Sequence, residues 1–247
     1  MKKPHLAAAL AALTLTPEAF AQSEGRIHVS IERAFGVTYN SLTSSSERTV
    51  GSTTVTTEST SEWSSLNLLG TGVTGAVPGV GTYPWANLLP RLAVDYELPS
   101  HLTVGGAAFL TYSTVSTEGL TGSAFGFGLA PRVGYSLRIT DKLAFWPRLG
   151  VTLAYYSASP EDPGSGSVRV TQSTRYVPLW LNVEPSLVYS IERHFAFTFG
   201  LVGDIPLLGG VTSKTTTTTG SATTTVERDS TLTQLILAAQ FGVMGSF

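Results

Sequence analysis

The chain has no cysteine. That excludes a disulfide framework and thiolate metal sites. Charged residues make up only 13% of the 247 residues, against ~25% in ordinary soluble domains. Lys and Arg number 15 and Asp and Glu 17, a near balance that lacks the basic face nucleic acid requires. After the first 21 residues no apolar run reaches the ~18 that mark a spanning helix. Yet the mean hydropathy is +0.17. The apolar residues are therefore spread through segments polar on one side, which is how a transmembrane β-barrel carries its hydrophobicity.

What is present begins with an export signal. Lys2 and Lys3 form a basic start, an apolar stretch runs from Leu6 to Leu15, and Ala19-Phe20-Ala21 is a small-x-small cleavage site. That stretch is too short for a membrane anchor, which needs ~20 residues. Cleavage after Ala21 is expected, so 1–21 is a signal peptide and 22–247 a single domain.

The remainder alternates with period two. Between Phe125 and Ile139 the odd positions are Phe125, Phe127, Leu129, Pro131, Val133, Tyr135, Leu137 and Ile139. The even positions, Gly126 to Arg138, are small or charged. A soluble sandwich buries its apolar face, whereas a membrane barrel turns it to lipid. The Gly-rich second face favours a narrow barrel with little interior room. Similar strands are read near 26–40, 86–98, 102–112, 143–156, 175–191, 195–207 and 231–247. In this register Leu88, Leu92, Val94 and Tyr96 face lipid. So does Arg33, which breaks the pattern.

Connections alternate in length. Pro99-Ser100-His101, Thr140-Asp141-Lys142 and Glu192-Arg193-His194 are tight turns. Long segments lie near 41–85, 113–124, 157–174 and 208–230. Three turns and four loops require eight strands, with both termini on the turn side. The expected fold is all-β: an eight-stranded antiparallel transmembrane barrel with long extracellular loops. A pair of extra strands within 63–85 would make ten, and a lid over the mouth is the other reading of that apolar, Gly-punctuated stretch. Tyr96, Tyr135, Phe145, Tyr189, Phe195 and Phe247 fall at one rim, and Tyr39, Tyr112, Phe125 and Tyr155 at the other, as interfacial girdles do.

Three strands repeat one phrase, beginning Pro90-Arg91, Pro131-Arg132 and Pro147-Arg148, with Glu184-Pro185 a fourth, decayed copy. Proline removes a ladder donor, so bulges are expected there. Counted from the strand ends, Glu32, Arg91, Arg132, Arg148, Glu184 and Asp204 lie at similar depth on the luminal side. Desolvated charges must pair or cost several kcal/mol each. They form the candidate site, a salt-bridged luminal belt. It acts either as a plug or as a selectivity ring.

Runs such as Lys214 to Gly220, Thr223 to Val226 and Arg48 to Thr57 are Thr-rich. β-branched residues favour extended chain, so these segments prolong strands beyond the membrane. Disordered surface, ligand binding and glycosylation remain open for them. His28, His101 and His194 all fall on the turn side, leaving none at the outer rim to activate a serine. Neither catalysis, nor a metal, nor a cofactor is expected. Glu161-Asp162-Pro163-Gly164 reads as a solvated turn.

The last strand carries a polar-x-Gly-x-x-apolar-x-aromatic ending. Gln240, Gly242 and Phe247 match it, and Gly245 departs where an apolar residue is usual. The ending resembles the assembly signal of bacterial outer-membrane β-barrels. With the signal peptide and the eight strands, the chain resembles the barrel-domain superfamily of OmpA-, OmpX- and OmpW-like proteins, without a following peptidoglycan-binding domain. The resemblance implies outer-membrane lipid and the barrel-assembly machinery as partners, extracellular loops, periplasmic termini and a monomer. Function diverges within such a superfamily. The reading carried forward is a plugged barrel displaying Thr-rich loops for surface interaction or envelope integrity. Its alternative is a narrow, OmpW-like pore for small or apolar solutes.

Overall fold

A computed structural model describes residues 25–50, 53–68, 74–77, 81–84, 89–117, 120–162 and 168–247. The signal segment 1–21 and Leu88 lie outside the described residues. The strands are β1 (Arg26–Val50), β2 (Thr53–Leu68), β3 (Thr74–Val77), β4 (Gly81–Pro84), β5 (Arg91–Glu97), β6 (Leu102–Thr117), β7 (Leu120–Tyr135), β8 (Leu137–Arg138), β9 (Leu143–Asp162), β10 (Val168–Glu192), β11 (Phe195–Thr219) and β12 (Ala222–Ser246).

Eight of them close a ring in the order β1-β5-β6-β7-β9-β10-β11-β12, and β12 returns to β1. Every pairing is antiparallel. The β3–β4 hairpin is a separate two-stranded sheet and β2 pairs with β1 off the ring. The ring therefore has eight strands, not ten. At the seam, Ile27 and Phe247 exchange both backbone hydrogen bonds, at 3.0 and 2.9 Å.

The surface is inverted as the period-two pattern requires. Leu92 is 66% exposed and Leu110 70%, on the outer face. Their neighbours Arg91 and Phe109 are buried in the lumen at 1% and 6%. The girdle residues Tyr96, Tyr135, Tyr189, Phe195, Tyr112 and Phe125 are likewise exposed.

Three features differ from the sequence reading. First, most of the long connections are strand, which the sequence predicts only for the Thr-rich runs. β10, β11 and β12 each run 25 residues, although ~10 suffice to cross a bilayer at ~45° tilt. The excess pairs as polar hairpins, with β11 and β12 joined through Gly220 at φ 58° and Ser221. Thr216 and Thr225 share a cross-strand hydroxyl contact at 3.2 Å, and Thr43 and Thr60 do the same. β-branched pairs of this kind stabilise a ladder that has no core beneath it. Glu161 and Asp162 end β9, while Pro163 and Gly164 lie outside the described residues.

Second, the Pro-Arg phrases do not make bulges. Register runs unbroken through Pro131 toward β6, and Pro147 lies opposite Pro185. The missing donor is accommodated by a lapse in pairing near Pro131 toward β9, not by an inserted residue. Pro90 precedes β5 instead of lying within a strand. Register shifts fall instead at Ile31–Phe35, around Pro206 between Asp204 and Gly210, and at Ser190–Glu192.

Third, Arg33 does not face lipid. It is 6% exposed, with φ 56°. Between Ile31 and Phe35, β1 carries four steps against two on β12, where Val243 and Phe241 are their partners. The two extra residues rotate Arg33 inward while Ile31 and Phe35 both stay outside. A left-handed residue is the usual means of making that turn. Gly242 sits opposite. A Cβ there would meet the Ile31 carbonyl oxygen at 2.6 Å and the Glu32 Cα at 3.2 Å, so only glycine lets the bulged strand approach. The same point is where β1 changes partners: Glu32 is its last residue paired to β5, and Phe35 its first paired to β2.

Candidate functional site: a charged belt across the lumen

Period-two alternation sends every second side chain into a narrow lumen, and antiparallel register sets their depth. Glu32 stands opposite Arg91, Arg148 opposite Glu184, and Asn182 opposite Asp204. Six of the ring strands thus contribute polar side chains to one layer. β12 contributes Gly242, and β6 contributes Gly105, whose missing Cβ would meet the Asp95 Cα at 2.6 Å.

The layer holds four guanidiniums and four carboxylates, all 6% exposed or less: Arg33, Arg91, Arg132, Arg148, Glu32, Asp95, Glu184 and Asp204. Arg132 is one hub. It meets Asp95 through Nε at 2.9 Å and Nη2 at 2.5 Å, and Glu32 through Nη1 at 2.6 Å and Nη2 at 2.9 Å. Glu184 is the other. It accepts from Arg33 at 3.0 Å, Arg148 at 3.2 Å and Arg132 at 3.4 Å, with Arg91 at 3.9 Å. Arg148 also donates to Glu32. Arg33 forks onto both oxygens of Asp204, at 2.8 and 3.0 Å. Asn182 donates to Asp204 at 2.6 Å and accepts from Thr152 at 2.6 Å. Bidentate, charge-assisted bonds of this kind are the strongest available to side chains.

All six residues placed in the belt on sequence grounds lie in this layer. Two further members escaped that reading. Asp95 is signalled by its own strand, since Leu92, Val94 and Tyr96 face outward and so place it inward. Arg33 carries no such signal, because the bulge breaks the period.

Apolar clusters flank the belt on either side. Toward the hairpins, Leu42, Phe109, Tyr156, Tyr176, Trp180, Val211, Leu232 and Ile236 form one cluster, with Trp63 and Leu89 against it. Arg91 lies over the Phe109 ring at 5.5 Å. Toward the turns, Trp146, Val188, Ala196 and Met244 form another, with Arg148 over the Trp146 ring at 4.7 Å. A void bordering Arg91, Arg132, Arg148 and Glu184 measures about 10 Å³, the scale of one water molecule.

At the turn end, His28 Nδ1 meets Ser246 Oγ at 2.9 Å and His28 Nε2 meets Glu97 at 2.9 Å. The order Ser-His-carboxylate is that of a hydrolase. The setting is not. Glu97 is shared with His101 at 3.0 Å. Ser246 donates its N–H to the His194 carbonyl at 3.1 Å, and its own carbonyl meets His194 Nδ1 at 2.7 Å. The three side chains tie β12, β1 and β5 together beside the seam.

Of the three residues read in the sequence as an assembly signal, Gln240 is buried at 7%, Gly242 faces the bulge, and Phe247 is 73% exposed with its ring stacked 6.3 Å from that of His194.

No family model matches the chain, and no curated protein matches it. Solved structures similar to it include a major outer membrane protein from Thermus thermophilus, 12% identical, covering 90% of this chain and 99% of that one at TM-score 0.49. Ail, the attachment invasion locus protein of Yersinia pestis, is 11% identical over 91% and 100% at TM-score 0.39. The outer membrane protease OmpT of Escherichia coli is 9% identical over 95% and 99% at TM-score 0.38. Identities this low carry nothing about activity. The chain's own closed ring of eight antiparallel strands, apolar outside and charged within, is the fold of the outer-membrane β-barrels.

Proposed function

We propose that this chain is a sealed outer-membrane barrel whose belt plugs the lumen and whose long hairpins present a Thr-rich surface outside the cell. The observation that carries the reading is the belt itself. Eight buried charges are mutually paired, and apolar clusters lie on both sides. A conducting ring would leave charges facing water, whereas here they face one another. On this reading the turns and both termini are periplasmic, Thr43 to Thr60 and Thr212 to Asp229 stand above the outer leaflet, and the protein is a monomer without enzymatic activity. Surface interaction or envelope integrity is then the work of the hairpins. Planar-bilayer recording on the purified barrel tests it. The expected trace is flat. Steady single-channel steps whose size changes with Arg91→Gln or Arg132→Gln would overturn the plug.

One observation favours the second reading, a narrow path for small or apolar solutes. Among the described residues, β2 has no ladder partner other than β1, and β6 beyond Ala108 pairs only with β7. Among the described residues the wall above the belt thus carries no ladder between β2 and β6, and the lumen there is lined by Phe109, Tyr156 and Trp180. Quenching of tryptophan fluorescence by a lipid-soluble quencher separates the two. A sealed barrel protects Trp180, and rapid quenching of the Trp180 signal points to the side path.

Gln240, Gly242 and Phe247 are proposed to act as the signal read by the assembly machinery. Phe247 also supplies both hydrogen bonds of the last seam pair. Deleting it removes two backbone bonds of about 1 kcal/mol each and an interfacial aromatic. The folded, heat-modifiable band recovered from outer membranes should fall several-fold, and roughly thirtyfold if both bonds count fully in one step. Phe247→Tyr should restore it. Unchanged recovery of the deletion variant would exclude the assembly role.

A further inference from the structure

The turn end holds a second polar feature that the sealed-lumen reading does not use. A cavity of about 110 Å³ opens there, roughly the share of several water molecules in the liquid. Its wall includes Arg26, His101, Arg138, Lys142 and Arg193, and its floor includes His28, Glu97 and Trp146. The cations arrive from separate places: Arg26 from the first residue of β1, Arg138 from β8, Lys142 from the turn before β9, and Arg193 from the turn after β10. All four are exposed. Among the described residues no ion pair joins any of their side chains to a carboxylate. The lining has two acids, Glu97 and Asp141, and Glu97 is already held by His28 and His101 at 2.9 and 3.0 Å. The belt balances every guanidinium against a carboxylate, and this mouth does not.

We propose that the turn-end cavity is a phosphate-binding vestibule. Four cations converging from three sides of one cavity suit an anion with at least three acceptor oxygens. A phosphate group has them, and a carboxylate, with two, would leave part of the set unused. Guanidinium forks pair with phosphate oxygens bidentately. His28, buried with its ring 5.6 Å from that of Trp146 and tilted 56° to it, fixes the floor through Glu97 and Ser246, so the mouth keeps its shape without an occupant. The phosphate can come from a lipid headgroup of the inner leaflet or from a free phosphate species. The chemistry at the site is the same. The proposal is independent of whether the lumen conducts.

The test uses the whole barrel, refolded in a zwitterionic detergent and checked by heat-modifiable mobility. Inorganic phosphate is titrated and read by calorimetry, against the double variant Arg138→Gln with Lys142→Gln and against Lys214→Gln, which removes one exposed cation at the opposite end. Binding is expected for the unmodified barrel and for Lys214→Gln, and about tenfold weaker binding for the double variant, the loss of one to two charge-assisted bonds. A parallel arm inserts the barrels into vesicles of phosphatidylcholine with or without phosphatidylglycerol and measures lipid retained through gel filtration. Retention of phosphatidylglycerol that the double variant loses, with weak free-phosphate binding, assigns the source to lipid. Equal binding by all three barrels, or binding in neither arm, overturns the vestibule.

Discussion

Arg132→Met should destabilise the barrel by about 3–5 kcal/mol, the effect of removing one partner from a buried ion pair. Arg132 is in contact with Asp95, Glu32 and Glu184. Glu32 and Glu184 retain Arg148. Asp95, 1% exposed, has no other ion-pair partner among the described residues. The loss is therefore concentrated on Asp95. Adding Asp95→Asn should recover at least about 1 kcal/mol, within the range of coupling between contacting residues. Urea unfolding in lipid vesicles, followed by tryptophan fluorescence, gives both numbers. Arg138→Met, exposed at the turn end, should stay within about 0.5 kcal/mol. If Arg132→Met is as mild as that control, the belt is not a desolvated network.

Replacing a whole buried ion network with apolar side chains often leaves a protein as stable or more so. Net stability is thus a poor reason for the belt. Register is a better one. A one-residue slip of any strand exchanges its two faces. In a soluble protein the error exposes apolar groups. Here it would drive an arginine into hydrocarbon at about 2–4 kcal/mol near the midplane. Because Arg91, Arg132 and Arg148 lie on three different strands, each of those strands is registered separately. An apolar lumen would look much like the outer face and could not enforce this. Gly242 and Gly105 complete the device by leaving room where a side chain would displace Glu32 or Asp95.

How much of this could be read from residues alone follows from which physical signals have a period. Facing is set by period two, so the outward residues and the luminal Glu32, Arg91, Arg132, Arg148, Glu184 and Asp204 were legible. The eight-strand count was legible from three tight turns alternating with four long connections. Strand length was legible only in the Thr-rich runs, whose β-branched residues favour extended chain. Elsewhere the reading took each strand to end where its outward face stopped being apolar. Past the lipid boundary that face becomes Thr and Ser while the backbone continues to pair, as Val168 does with Thr219. The marker ends before the strand does. Proline misled in a related way, because its cost is local. The ladder omits two pairings at Ala130 and Pro131 and keeps register, so no bulge is needed. Arg33 was out of reach altogether, since a two-residue insertion inverts the facing of whatever it contains.

Arg33 allows conformation and charge to be separated in one experiment. Its backbone, at φ 56°, suits Gly or Asn, and an ordinary side chain there costs about 1–2 kcal/mol. Its guanidinium forks onto Asp204, which is 0% exposed. Arg33→Asn relaxes the backbone but leaves Asp204 with Asn182 and, within the shared network, no fork. A buried carboxylate stripped of its cation should outweigh the relaxation, giving a net loss of about 2–4 kcal/mol. Asp204→Asn in the same chain removes the stranded charge and keeps an amide oxygen for the Asn182 donor. The double variant should therefore recover at least about 1 kcal/mol and approach the unmodified barrel. The same urea assay reads both. An Arg33→Asn barrel as stable as the parent would mean that the bulge opposite Gly242 is a backbone feature alone, with the ion pair adding nothing to it. A loss that Asp204→Asn fails to reverse would place the cost in lost packing around the arginine stem. The expected order, parent, then double variant, then single variant, requires that β1 bends at Ile31–Phe35 in order to deliver a cation to Asp204.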